Sequence, residues 1–239
     1  LLILQTLFVA HAARARSDRL LLNVDNLSVE RGARTVISEL SFTAKAREAL
    51  LVVGPNGAGK TTLIRTIAGF IAPAAGTITL KGDAVDRIND ARDVAELSHY
   101  VGHLTGVKAN LTAAENLAFW AAYLGEKDRA MISHKVDDAL ALFGLAKLAD
   151  YPAGLLSAGQ KRRLGLARLK IAERPIWLLD EPTVSLDAAS TDLLAGLIRE
   201  HLLGGGLVIA ATHLPMGLDE PSYLRLGPQV SGDRAEAHL

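Results

Sequence analysis

The sequence predicts an α/β fold: a mainly parallel sheet with helices on its faces, an N-terminal antiparallel β layer and an inserted helical subdomain. Three observations carry this reading. Short runs rich in leucine and β-branched residues, EALLVVG ending at Gly54, IWLLD ending at Asp180 and LVIAA ending at Ala211, alternate with stretches of helical periodicity, as strands joined by crossover helices do. Ahead of them LLNVDNLSV alternates from Leu21, and RTVISELSF follows a glycine-containing turn, the pattern of paired antiparallel strands. Between about residues 87 and 170 the chain becomes rich in alanine and leucine at helical spacing, as in AENLAFWAAYL and VDDALALFGLAKL.

Taken in order, residues 1–20 are expected to lie outside the fold. Their apolar run LLILQTLFVA is broken by Gln5 and Thr6, falls short of the ~20 residues a membrane span needs and has no basic region before it, so it reads as an over-extended start or as a targeting or membrane-touching segment. Residues 21–239 are expected to form one domain. Within it, Leu21 to Val53 supplies the antiparallel layer and a first buried strand, and Lys60 to Phe70 a helix with Ile64, Ile67 and Ala68 on one face. TITLKGD, Thr77 to Asp83, supplies a further strand and turn, and the helical subdomain follows over about residues 87–170. The strand pattern then returns at Ile176 and Leu207, separated by the helix-like LDAASTDLLAGLIREHL and the breaker Gly204, Gly205, Gly206.

Composition narrows the function. Lys plus Arg and Asp plus Glu both total 26, so the net charge is zero and the electrostatic footprint of a nucleic-acid binder is missing. No cysteine is present, which excludes disulfides, thiolate metal sites and cysteine nucleophiles.

The chemistry is carried by residues at predicted strand ends. GPNGAGKTT, Gly54 to Thr62, satisfies G-x-x-x-x-G-K-S/T after an apolar strand and before a helix, the context of a phosphate-binding loop. Its glycines let backbone N–H groups converge on phosphate oxygens, the helix N-terminus adds about half a positive charge, Lys60 reaches the β and γ phosphates, and Thr61 offers a hydroxyl to Mg²⁺. IWLLDEP then places Asp180 beside that magnesium and Glu181 where it polarises the attacking water. His213, ending LVIAATH, joins them, because parallel strands deliver their C-terminal ends to one edge. His99 and His103 are four apart but read as a strand end and a switch loop rather than as metal ligands, and Lys161, Arg162 and Arg163 read as a solvated helix face.

These pieces leave several phosphate-loop families open, kinases and GTPases included. LSAGQ, Leu156 to Gln160, decides among them: it resembles the LSGGQ signature of ATP-binding-cassette ATPases and stands upstream of the acidic strand. From about Leu21 to His213 the order of phosphate loop, signature, acidic strand, SLD at Ser185 to Asp187 and switch histidine is that of the family. The resemblance implies the P-loop ATPase core of an ABC nucleotide-binding domain, with ATP and Mg²⁺ as cofactors. It places nucleotide on Gly54, Pro55, Asn56, Gly57, Ala58, Gly59, Lys60, Thr61 and Thr62, with Thr61 and Asp180 at the metal and Glu181, His213 and Lys60 in catalysis. It also implies a head-to-tail homodimer, in which Ser157, Ala158, Gly159 and Gln160 of one subunit meet the γ-phosphate held by the other.

Three positions depart from the family pattern. Ala158 replaces the second signature glycine, His103 stands where a glutamine is usual, and Arg31 stands where an aromatic residue usually stacks on adenine. A narrower resemblance is to the haem-exporter ATP-binding subunits of the cytochrome c maturation system. It rests on YVGHLTGVKANLTAAENLAF with His103, LSAGQKRRLGLARL with Ala158, and ATHLPMGL followed by LRL, although Thr105 and Gly106 replace the usual Pro-Gly after the histidine. That resemblance implies a peripheral ATPase on the cytoplasmic face of the bacterial inner membrane, bound to membrane-spanning transporter subunits and driving release of haem-loaded chaperone. It implies no nucleic-acid partner, and no direct haem site is recognised. The same motifs would serve another exporter of lipid, drug or solute, or a soluble cassette protein outside transport.

Overall fold

The computed structural model describes residues 20–82 and 91–227. The N-terminal extension expected over residues 1–20, apart from Leu20, lies outside the described residues, as do the start of the helical subdomain near residue 87 and the end of the domain beyond residue 227.

The described residues form two sheets. β1 (Leu21–Arg31) pairs antiparallel with both β2 (Arg34–Lys45) and β4 (Ala75–Lys81), giving a three-stranded layer in the order β2-β1-β4. β3 (Ala49–Val53), β5 (Ser98–Val101), β6 (Ile176–Asp180), β7 (Leu207–Ala211) and β8 (Ser222–Arg225) form a second sheet in the order β5-β6-β7-β3-β8, every pair of which is parallel. The helices are α1 (Lys60–Ile67), α2 (Ala91–Glu96), α3 (Ala113–Tyr123), α4 (Arg129–Leu142), α5 (Ala158–Ala167) and α6 (Ala188–Leu203). The predicted α/β architecture, with a parallel sheet fronted by an antiparallel layer, is the one observed.

Every residue of β6 and β7 is buried, which is why these strands read as unbroken apolar runs. Because side chains alternate across a strand, each run feeds two separate cores. Leu51, Trp177, Leu179, Val208 and Ala210 pack with Leu117 of α3, Leu140 of α4, Leu164 of α5 and Ile198 of α6. Leu50, Val52, Ile176, Leu178, Leu207 and Ile209 face the other way, onto Leu63, Ile64 and Ile67 of α1 and onto Leu22, Val24, Ile78 and Leu80 of the antiparallel layer. The helix ends follow their sequence. Thr112 and Glu115 form a capping box at the start of α3, and Asp128 caps α4.

Two strands differ from the sequence reading. SHYV, Ser98 to Val101, counted with the helical stretch, pairs with β6 as the edge strand β5; four residues are too few for a period to declare itself. SYLR, Ser222 to Arg225, pairs with β3 as β8; only Leu224 of its residues is even half-buried, so no apolar pattern marks it in the sequence.

His99 sits in β5 at 5% exposure, its Nε2 2.7 Å from the Ala172 carbonyl. Burial, helped by the nearby Arg168 and Arg174 charges, pushes its pKa down to about 4 against the backbone hydrogen bond. Folded His99 is therefore neutral where the unfolded chain takes up a proton. Its stabilising contribution is whole above the ordinary histidine range and is lost as the pH falls from about 6.5 toward about 4. The expected loss is about 3 kcal/mol at the acid end of that window. Urea midpoints at pH 7 and pH 5 check it: because buried His201 is also pushed down to about 4 and adds its own loss, His99→Gln should lose less stability on acidification than wild type but still some, and equal losses would refute the assignment.

Candidate nucleotide site

The parallel sheet aligns the C-terminal ends of β3, β6 and β7, and the predicted site residues lie where those strands stop. β3 runs into the phosphate loop. Gly54 has φ +148° and a Cβ there would lie 2.0 Å from the Leu226 carbonyl oxygen, so the loop's first turn has room only for glycine. Gly59 is the N-cap of α1 in the left-handed region; it has no side chain to cap the helix, and the first turn holds no acidic residue. Among the described residues the N-cap of α1 offers no side-chain acceptor to the first-turn N–H groups, and the helix dipole adds a positive end, which together suit phosphate.

Lys60, 7% exposed, folds back so that its Nζ donates to the carbonyls of Gly54 at 2.7 Å and Pro55 at 3.1 Å. Thr61 donates its hydroxyl to Asp180 Oδ1 at 2.9 Å. Asp180 is fully buried and its Oδ2 has no hydrogen-bond partner among the described residues. An unmatched carboxylate oxygen inside a protein is costly, so the Thr61–Asp180 pair presents a donor set that fits a hard divalent cation.

Glu181 follows directly, at φ +49°, a backbone region that costs a non-glycine residue about 1–3 kcal/mol and persists only where neighbours hold it. Its N–H donates to the Ala211 carbonyl at 2.8 Å, tying the end of β6 to β7. Its Oε2 lies 2.7 Å from Nδ1 of His213, and the carboxylate is the more buried of the two, with 16% side-chain exposure against 53% for the imidazole. A carboxylate orienting a histidine at the open end of the sheet is a proton-handling pair.

The second motif opens α5. Ser157 is its N-cap: the Ser157 Oγ accepts from the Gln160 N–H at 3.2 Å, and the Gln160 side chain accepts from the Ser157 N–H at 2.8 Å. This box leaves the N–H groups of Ala158 and Gly159 outside it. Gly159 also lies against the neighbouring loop, since a Cβ there would come within 3.0 Å of the Ser185 carbonyl. Ser157, Ala158, Gly159 and Gln160 thus stand on an exposed or half-exposed helix start beside Ser185, itself at φ +67°.

The structure therefore brings together Lys60 with Gly54 and Pro55, Thr61 with Asp180, and Glu181 with His213. His103 follows β5 on an exposed loop and makes no hydrogen bond or ion pair among the described residues. One expectation is corrected. Arg162, read as part of a solvated face, is 4% exposed and donates to the carbonyls of Gly102, Asp180, Glu181 and Pro182. Its neighbours in sequence behave differently: Lys161 donates to Gly154 and Arg163 to Phe143. A run of basic residues does not reveal which member points inward; only its position on the helical wheel beside Gly165 and Leu166 hinted at it.

Known proteins resemble this chain over most of its length. The family described as ABC transporter matches residues 37–184. A cytochrome c biogenesis ATP-binding export protein of Chelativorans sp. (strain BNC1) is 46% identical over 206 residues, covering 86% of this chain and 98% of the relative. The protein of the same description from Rhodopseudomonas palustris (strain BisB5) is 50% identical over 188 residues, 79% of this chain and 89% of its own length. A solved ATP-binding subunit of an ABC transporter superposes with a TM-score of 0.75 at 23% identity over 86% of this chain and 85% of that one, which is a likeness of fold. With a phosphate loop, a signature helix and an acidic strand end arranged on that fold, and with relatives of this identity matched along nearly their whole length, the chain belongs to the ABC transporter family, in the group of the cytochrome c biogenesis ATP-binding export proteins.

Proposed function

We propose that this chain is the ATP-hydrolysing subunit of a transporter complex that serves cytochrome c biogenesis, its turnover driving release of a haem-loaded chaperone. The observation that carries the reading is the identity of 46% and 50% to two cytochrome c biogenesis ATP-binding export proteins, joined to a site whose Glu181 and His213 are already paired at 2.7 Å. ATP binds on Gly54 to Thr62, with Lys60 turning from its own loop carbonyls to the phosphates. Thr61 and Asp180 are the residues that would hold Mg²⁺, which would supply neutralisation of phosphate charge. Glu181 accepts the proton of the attacking water, and His213 donates toward the γ-phosphate.

The N–H groups of Ala158 and Gly159 and the Ser157 hydroxyl serve the nucleotide of a second copy, so two chains pair head to tail and hydrolysis waits on their closure. In this reading residues 21–239 work as one ATPase domain with a helical subdomain at about 87–170, whose surface around His103 to Leu124 faces the partner. On that part Leu104, Phe119 and Tyr123 stand exposed, Phe119 and Tyr123 stack with centroids 6.1 Å apart, and Lys108 lies over the Phe119 ring. Such an apolar face suits membrane-spanning subunits. Attachment at the cytoplasmic face of the inner membrane would run through those partners; among the described residues no helix is long and apolar enough to cross a membrane. His103, exposed on the loop that follows β5, is the residue through which docking would reach the nucleotide.

The test is genetic. In the native host, Lys60→Ala should abolish covalent c-type cytochromes detected by haem staining of membrane proteins, with normal growth on fermentable carbon. Normal cytochrome levels would remove the haem connection and leave an ATPase serving another cargo.

A further inference from the structure

A guanidinium is almost never fully buried unless its charge is matched. Arg162 on α5 is 4% exposed, and the four acceptors it reaches are main-chain carbonyls. Nε donates to Pro182 at 3.0 Å, Nη1 to Gly102 at 2.7 Å, and Nη2 to Asp180 at 3.0 Å and to Glu181. Burial lowers its pKa while the charges of Asp180, Glu181 and Tyr100 act the other way; an arginine stays protonated all the same.

The acceptors are not a random set. Three are consecutive, Asp180 to Pro182, and bracket the one residue of the catalytic strand end whose backbone is left-handed. The fourth, Gly102, immediately precedes His103. The donor stands on the helix whose first turn is Ser157 to Gln160. Arg162 is therefore where the signature helix, the loop after β5 and the Glu181 bend meet. Only a rigid planar fork with five donors can hold carbonyls from two segments at once; an ammonium has neither the span nor the fixed geometry.

We propose that Arg162 is a positioning residue for hydrolysis: its fork holds the Asp180–Pro182 main chain in the bend that aims the Glu181 carboxylate at His213, and ties that bend to the signature helix. This rests on the reading of Glu181 as the residue that activates water. Its consequence is directional. When the first turn of α5 engages an anion, the helix that responds is the one whose fork sets the Glu181 bend of its own chain, so the two nucleotide sites of a pair are linked through Arg162.

The experiment uses the full chain, the single variants Arg162→Gln, Arg162→Lys and Glu181→Gln, for which kcat, KM and the affinity for a fluorescent ATP analogue are measured, and the double variant that combines Arg162→Gln with Glu181→Gln. Arg162→Gln is expected to lower kcat by about tenfold or more with KM and nucleotide affinity within about twofold, a split that general destabilisation does not produce. Arg162→Lys should recover part of kcat. In single turnovers with labelled ATP, adding Arg162→Gln to Glu181→Gln should change the residual rate by less than about twofold, because one acts through the other. Wild-type kcat in Arg162→Gln, or a further loss of about tenfold on the Glu181→Gln background, overturns the proposal. If Arg162→Gln does not fold by circular dichroism, Arg162→Lys decides: unchanged kcat in it is equally fatal. Full turnover by Glu181→Gln is a separate result and removes the reading of Glu181 itself.

Discussion

Replacing Glu181 by glutamine is expected to lower ATP turnover by about 10²–10⁴-fold while leaving nucleotide affinity near its original value. The amide matches the carboxylate in shape, so the contact with His213 Nδ1 at 2.7 Å and the hydrogen bond from the Glu181 N–H to Ala211 have no steric reason to change. What disappears is the capacity to take a proton from water. ATP then remains intact between two subunits, and the nucleotide-bound pair should accumulate. Size exclusion at saturating ATP, with the partner subunits present, should show that pair; a variant that stays monomeric, or that turns over ATP at the original rate, would remove Glu181 from its role and the head-to-tail arrangement with it.

Lys60→Ala is expected to act one step earlier, at binding. Lys60 donates to Gly54 and Pro55 at 2.7 and 3.1 Å, so the ammonium is held within the loop by the carbonyls it leaves when phosphate arrives. Each charged hydrogen bond it would transfer to phosphate contributes roughly 1.5–3 kcal/mol, so its loss should weaken nucleotide binding by about a hundredfold. The same truncation frees two loop carbonyls, and Gly54, pressed on Leu226, has no slack to take up the change. Equilibrium titration with a fluorescent ATP analogue measures the effect, and an affinity within about threefold of wild type would contradict the loop's assignment.

Much of the site is legible in the sequence, for an identifiable reason. Gly54 to Thr62, Asp180 with Glu181, and His213 each follow a short, fully apolar run, and parallel strands necessarily carry the residues after them to one edge. The order of motifs did the rest. What stayed hidden was of two kinds. β5 and β8 are edge strands of four residues each, too short or too exposed to show a pattern, although β5 carries His103 into the loop after it. Arg162 stayed hidden because its role depends on long-range contacts with Gly102 and with Asp180 to Pro182, which no spacing along the chain encodes; its flanking Lys161 and Arg163 made it look like one of a solvated group.

The alternation of β3, β6 and β7 between two cores has a consequence for how such a chain can diverge. A substitution at Val208 or Ala210 is felt by α3 to α6, whereas one at Leu207 or Ile209, the adjacent positions, is felt by α1 and the antiparallel layer. Close packing transmits a change of volume to the atoms it touches and little further across a backbone ladder. The helical half can therefore be recut to suit a different membrane partner while the half that shapes the phosphate loop keeps its packing, so one ATP engine can be inherited intact by machines with different cargoes.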